Sequence, residues 1–140
     1  MKAFNFNLQK VLDLRQHTED EAKLELGRAV SVLAELENRI NSIAQEQTRA
    51  ASDQFRPGNS TAAMQQYMLY LLRLESTKEQ LFKEAAEAEL VVEKAREAFL
   101  EATRERKVLD KLKEKRQKEY RNFVFAEEAK AVDDIRLNKE

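Results

Sequence analysis

Arg56-Pro57-Gly58-Asn59-Ser60 is the one clear break in a chain that otherwise reads as continuous helix. The 140 residues contain only 2 Gly and 1 Pro, so few other places exist where the backbone can reverse. Proline lacks a backbone donor and turns the preceding residue away from helix, while glycine permits positive φ. Ser60 or Asn59 can then cap a following helix by accepting a bond from its first N–H groups. The pentad predicts an all-α protein: two long helices in an antiparallel coiled-coil hairpin. One coiled-coil domain over 1–140 would comprise helix one at about 7–52, a turn at about 53–60 and helix two at about 61–136. At the start, Asn7 is a candidate N-cap, with Phe6 and Val11 at hydrophobic-staple positions around it.

On the N-terminal side of the break, apolar residues recur at Ala22, Leu26, Ala29, Leu33, Leu36, Ile40, Ile43, Gln47 and Ala50. The spacing alternates between four and three, which keeps one stripe facing a partner helix. Before Ala22 the phase is ambiguous, because Val11, Leu12 and Leu14 support different registers. On the other side the alternation runs through Tyr67, Leu71, Leu74, Lys78, Leu81, Ala85, Ala88, Val92, Ala95 and Phe99. It continues to Ala102, Arg106 and Leu109. Beyond Leu109 the strict phase meets Lys113 and Arg116, whereas Val108 and Leu112 suggest a stutter.

At 1.5 Å rise per residue, helix one is about 69 Å long and helix two about 114 Å. Folding back at Pro57-Gly58 sets residue 7 beside roughly residue 106. The second helix therefore overhangs the first, by about 30 residues, and an amphipathic overhang calls for a partner or an oligomer.

Composition narrows the function. Charged residues make up 36% and aromatics 7% with no Trp, which suits a narrow seam and not a wide core. Lys and Arg total 25 against 26 Asp and Glu, so the chain as a whole has no electrostatic pull toward nucleic acid. The absence of cysteine excludes disulfides and thiolate metal sites. The longest apolar run, Met68 to Leu72, falls far short of the roughly 20 residues of a membrane span, and the opening residues lack a signal-peptide core. No direct membrane insertion is expected.

Catalysis requires convergent groups in a cleft, which a two-helix hairpin does not supply. His17, the one histidine, sits on a polar stretch and reads as a solvated helix residue. The carboxylate pairs Glu19/Glu21 and Asp133/Asp134 read the same way, and no Gly-rich phosphate loop occurs. The expectation is a protein that is not an enzyme, with no catalytic residue, metal or cofactor.

Two segments stand out. Between Arg104 and Arg121 lie nine basic residues against four acidic ones, a local balance of +5. This electropositive helix end suits an acidic protein surface; nucleic acid fits less well, because acids interleave and no reading motif accompanies them. Tyr120, Phe123, Val124 and Phe125 follow on the overhang. The second segment is Tyr67-Met68-Leu69-Tyr70-Leu71-Leu72-Arg73-Leu74, in which Leu69, Tyr70 and Leu72 fall off the seam. Exposed Tyr beside Arg is a hot-spot composition, unless a short helix near the tip covers it.

The layout resembles the flagellar export protein FliJ family. The resemblance is carried by Phe4-x-Phe6-x-Leu8-x-x-Val11-Leu12-x-Leu14-Arg15 with Glu19 and Ala22, and by Tyr67-x-x-Tyr70-Leu71-x-x-Leu74. It continues in Glu105-Arg106-Lys107-x-Leu109-x-Lys111-Leu112-Lys113-Glu114-Lys115-Arg116, Tyr120 and Asp133-Asp134. It implies a soluble component of the flagellar type III export apparatus, cytoplasmic and peripheral at the apparatus's cytoplasmic face. Such proteins are similar to the central stalk of the rotary ATP synthase. They bind the hexameric flagellar export ATPase, contact the cytoplasmic linker of the export-gate protein and escort export chaperones. The ATPase-facing end would comprise Phe4, Phe6, Leu8, Arg106, Lys107, Lys111, Lys113, Lys115, Arg116, Tyr120, Phe123 and Phe125. The surface for gate and chaperones would comprise Ile43, Tyr67, Leu69, Tyr70, Leu72, Arg73, Leu74, Thr77 and Leu81, of which Ile43, Leu74 and Leu81 also belong to the seam. The rival readings are a stalk of a virulence-type secretion system, a generic scaffold whose tail pairs in a homo-oligomer, and a holdase chaperone. A prefoldin-like holdase would need β-hairpins at the turn, and residues 52–60 are too few and too polar for them.

Overall fold

The computed structural model describes residues 3–139. Two helices account for nearly all of them: α1 (Gln9–Gln54) and α2 (Thr61–Lys139). The fold is the all-α antiparallel hairpin that the seam spacing predicts, with α2 overhanging α1. The described residues form two compact units, each containing parts of both helices. The turn-side unit is Lys23–Ala98. The terminal unit joins residues 3–22 to 99–139.

In the turn-side unit both cap candidates act, one on each helix. Ser60 Oγ accepts a bond from the Ala63 N–H at 3.1 Å and starts α2. Asn59 Nδ2 donates to the carbonyls of Asp53 at 2.7 Å and Gln54 at 3.2 Å, satisfying acceptors that the end of α1 leaves open. Between them Gly58 has φ 93°, a conformation that a side chain would strain. The core is the cluster Leu36, Leu81, Ala85 and Ala88, against which Leu33, Ile40 and Ile43 pack. Ala50 is fully buried nearer the turn. One polar layer interrupts the seam, where Lys78 Nζ donates to Gln47 Oε1 at 3.0 Å and pairs with Glu75 at 3.2 Å. Every seam residue from Leu26 to Ala50 and from Tyr67 to Ala95 is buried or half-buried.

The terminal unit resolves both ambiguous registers. Before Ala22 the seam passes through Leu8, Leu12, Arg15 and Glu19, continuing the same alternation, with Leu12 only 4% exposed. Leu14, at 63% exposed, lies off it. After Leu109 the strict phase persists through Lys113 and Arg116 to Tyr120, all half-buried. Of the two residues that suggested a stutter, Val108 faces solvent at 67%, whereas Leu112 is half-buried beside Lys113. Here charge pairs close seam positions beside the buried Leu12 and Ala102. Arg15 Nη1 meets Glu105 Oε2 at 2.5 Å, and Arg106 bridges Glu19 at 2.7 Å and Asp110 at 2.5 Å.

The overhang is shorter than the arithmetic predicts. Asn7 pairs with Arg116, not with residue 106, and Phe4 reaches Tyr120. Residues 4–6 are not helical, and a non-helical segment advances up to about 3.3 Å per residue against 1.5 Å in a helix. The offset does not come from that segment, because Arg15 already meets Glu105 and Glu19 already meets Arg106 within the helices; the segment only extends it to Tyr120. Among the described residues, 121–139 lie beyond this contact. Asn7 does not serve the expected capping role: its Oδ1 accepts from Arg116 Nη1 at 2.7 Å, and α1 begins two residues later.

Candidate interaction surfaces

The terminal surface is assembled from the start of the chain and the last quarter of α2. Phe6 is buried to 4% exposure beneath the Arg116 guanidinium, which lies 5.9 Å from its ring centroid. That contact combines apolar burial with a cation over an aromatic face. The Phe4 and Tyr120 rings stand 5.7 Å apart at 46°. Leu8, Lys113, Arg116 and Tyr120 are half-buried, so they hold the unit together while presenting only their edges. Arg106 is committed internally. Its guanidinium is held in the charged form, first by the hydrogen bond to Glu19 and then by that to Asp110. By contrast Lys107, Lys111 and Lys115 are exposed, as are Phe123 at 62% and Phe125 at 66%. Val124 is half-buried.

The turn-side surface centres on Tyr70. Its hydroxyl donates to Glu46 Oε1 at 2.8 Å across the helix pair. Glu46 also pairs with Arg49, which reaches Asp53 at 3.1 Å one turn on. Arg49, then Tyr70, hold the Glu46 carboxyl down at about 2 from an ordinary value of 4.5. The same bond pushes the Tyr70 hydroxyl up, because the proton it donates is stabilised where it is. Around this pair Met68, Leu69 and Leu72 are 58–62% exposed, and Arg73 and Thr77 are exposed too. No third helix covers them among the described residues. Tyr67, Leu74 and Ile43 are half-buried, while Leu81, at 3%, belongs to the core.

A depressed carboxylate contributes stability that is present above about pH 4.5 and is lost as pH falls through about 2. Tyr70→Phe removes one donor and moves the Glu46 pKa up from about 2 toward 4.5; Arg49→Ala removes the larger cause and moves it further. Carboxyl-carbon NMR titration reads both shifts. A Glu46 value unmoved in Y70F would show that the hydroxyl is not on the carboxylate.

The sequence expectations missed the Glu46–Arg49–Asp53 chain and the Arg15–Glu105 and Glu19–Arg106 bridges. Their signal was present as charges at or beside seam positions, but each partner lies 24 to 90 residues away or on a helix face shared with many other charges. Elsewhere the expected surface charges remain ordinary: His17 pairs with Glu21 at 3.0 Å in solvent. No group of His, Cys, Asp and Glu among the described residues is arranged to hold a metal ion. No helix among them is long and apolar enough to cross a membrane.

Two helices joined by a capped turn, with their distinctive side chains gathered at the turn and at the termini, define a coiled-coil hairpin protein. The family model described as Flagellar FliJ protein matches residues 4–139, and the chain belongs to that family. It is therefore a flagellar, export-related protein. Neither a curated protein nor a solved structure matched the chain.

Proposed function

We propose that this protein is a stalk-like component of the flagellar type III export apparatus. Its terminal unit engages the ring of the hexameric export ATPase. The surface around Tyr70 contacts the export-gate linker and export chaperones. It acts at the cytoplasmic face of the apparatus and without chemistry of its own, through unequal contacts with successive ATPase subunits. The observation that carries this reading is the uncovered end of α2. Past Tyr120 the helix continues for residues 121–139 with Phe123 and Phe125 in solvent, a surface that one chain leaves unfilled.

Burial sorts the expected contacts. Phe6, Leu8, Arg106 and Arg116 shape the terminal end, and Lys107, Lys111, Lys115, Phe123 and Phe125 are accessible to a partner. Leu69, Leu72, Arg73 and Thr77 are exposed at the other surface and Tyr67 and Tyr70 half-buried there, with Leu81 in the core and Ile43 packed against it.

Pull-down and ATPase assays with the cognate export ATPase test this. The full chain should bind the enzyme and raise its activity and oligomerisation. Truncation after Asn122 should abolish stimulation while preserving helicity. That cut spares the pairing of Glu105 and Arg106 with α1 and of Arg116 and Tyr120 with the segment before it. Neither binding nor stimulation, with a stable homodimer instead, would sink the stalk reading. Stimulation retained by the truncated chain would move the contact off the tail.

A further inference from the structure

The terminal unit sorts the charges that interleave along the sequence from Arg104 to Arg121. Glu105 and Asp110 turn toward the seam, onto Arg15 and Arg106. At 100° per residue, Arg104, Lys107, Lys111, Lys115 and Lys118 fall within about 40° of one line, on the side of α2 opposite Leu109, Lys113 and Tyr120. All five are exposed. Arg104 has a loose pair with Glu101 at 3.6 Å, and the four lysines have no ion-pair partner among the described residues. Glu114 borders the line on one edge. The ridge spans about 21 Å. The same line runs on through Phe125, at 66% exposed, and Ala129, with Asp133 at one edge.

We propose that this back face of α2 adsorbs to an anionic lipid bilayer, with the lysines over the headgroups and Phe125 at the acyl boundary. The ridge is convex and carries no acceptor array or concave wall that would read a fixed pattern of phosphates. Laterally mobile anionic headgroups can rearrange under a straight row of cations, and clustered basic residues beside apolar ones are the general composition of surface-adsorbed helices. The near-zero net charge of the chain conceals this face, because the compensating acids lie elsewhere. This goes beyond the stalk reading, and it places the same lysines in two competing uses: chain held on a bilayer, or chain engaged with a protein ring.

Flotation of the full chain with vesicles tests the inference, and no ATPase is present to confuse the two readings. At about 100 mM salt the chain should partition onto equimolar phosphatidylglycerol–phosphatidylcholine vesicles at least about tenfold more than onto pure phosphatidylcholine. Raising salt to about 1 M, which shortens the Debye length from about 10 Å to about 3 Å, should remove that excess. Lys107→Glu, Lys111→Glu, Lys115→Glu and Lys118→Glu together should lower partitioning at least about tenfold, with circular dichroism confirming that the helices persist. Phe125→Ser should lower it by a smaller factor that does not depend on salt. Equal retention by both vesicle types, or full binding by the quadruple variant, would overturn the proposal. So would tighter binding to a single-stranded oligonucleotide than to the anionic vesicles.

Discussion

Leu81→Ala lowers the unfolding free energy by about 2–3 kcal/mol, toward the lower part of the range for large-to-small core changes. Leu81 is 3% exposed and sits among Leu36, Ala85 and Ala88, with Leu33, Ile40 and Ile43 against the cluster. Ala85 and Ala88, the next seam positions along α2, are too short to fill the gap, and Leu36 is already committed to the cluster. The helices can close slightly, which keeps the loss below the range's upper end. Urea unfolding followed by circular dichroism measures it as a reduced midpoint with an unchanged slope. Leu81→Met, which conserves volume, should cost less than about 1.5 kcal/mol. A loss of under 1 kcal/mol in L81A would show that this cluster is not where the turn-side unit is held.

Phe6→Ala produces a loss of comparable size but different reach. Truncating a buried phenylalanine removes about 3 kcal/mol or more of burial in a core. Here the ring packs from a non-helical segment close to the chain end, under Arg116. That segment can undock without unfolding the helices, so the observable loss is capped at the free energy of local opening. Amide exchange should rise around Leu8, Leu12 and along α2 near Arg116 and Tyr120, while Ile40 and Leu81 keep their protection. The contrast with L81A separates the two units. If F6A lowered protection equally at Leu81, the terminal unit would not open on its own.

These two predictions reflect how differently the ends are built. The turn-side seam is aliphatic and alanine-rich, and alanine contributes little apolar area per contact. The terminal seam sets half-buried ion pairs beside its apolar layers at Leu12 and Ala102. Half-buried pairs specify register better than they add stability, since desolvation offsets much of their attraction. An end held by charge is suited to exchanging its contacts for those of a partner, in keeping with the proposed engagement of an ATPase ring.

The sequence by itself determined the fold class, the position of the turn and the seam from Ala22 to Leu109. A four–three alternation can face only one partner stripe, and a Pro-Gly pair followed by Ser can reverse only one way at one place. The tertiary structure alone decided the two seam ends, the length of the overhang and the disposition of charge. Leu12 could not be preferred over Val11 or Leu14 until Arg15 and Glu19 were seen to have partners on α2. The overhang depended on the register at which the two helices pair, already offset at Arg15–Glu105 and Glu19–Arg106, which no periodicity reports. Charge was the least legible of all. Along the chain Glu105 and Asp110 interrupt the basic run, whereas in space they turn to the seam and leave five cations in line. Periodic apolar patterns are local and survive in one dimension; a charge acts through its distance to other charges, and only folding sets those distances.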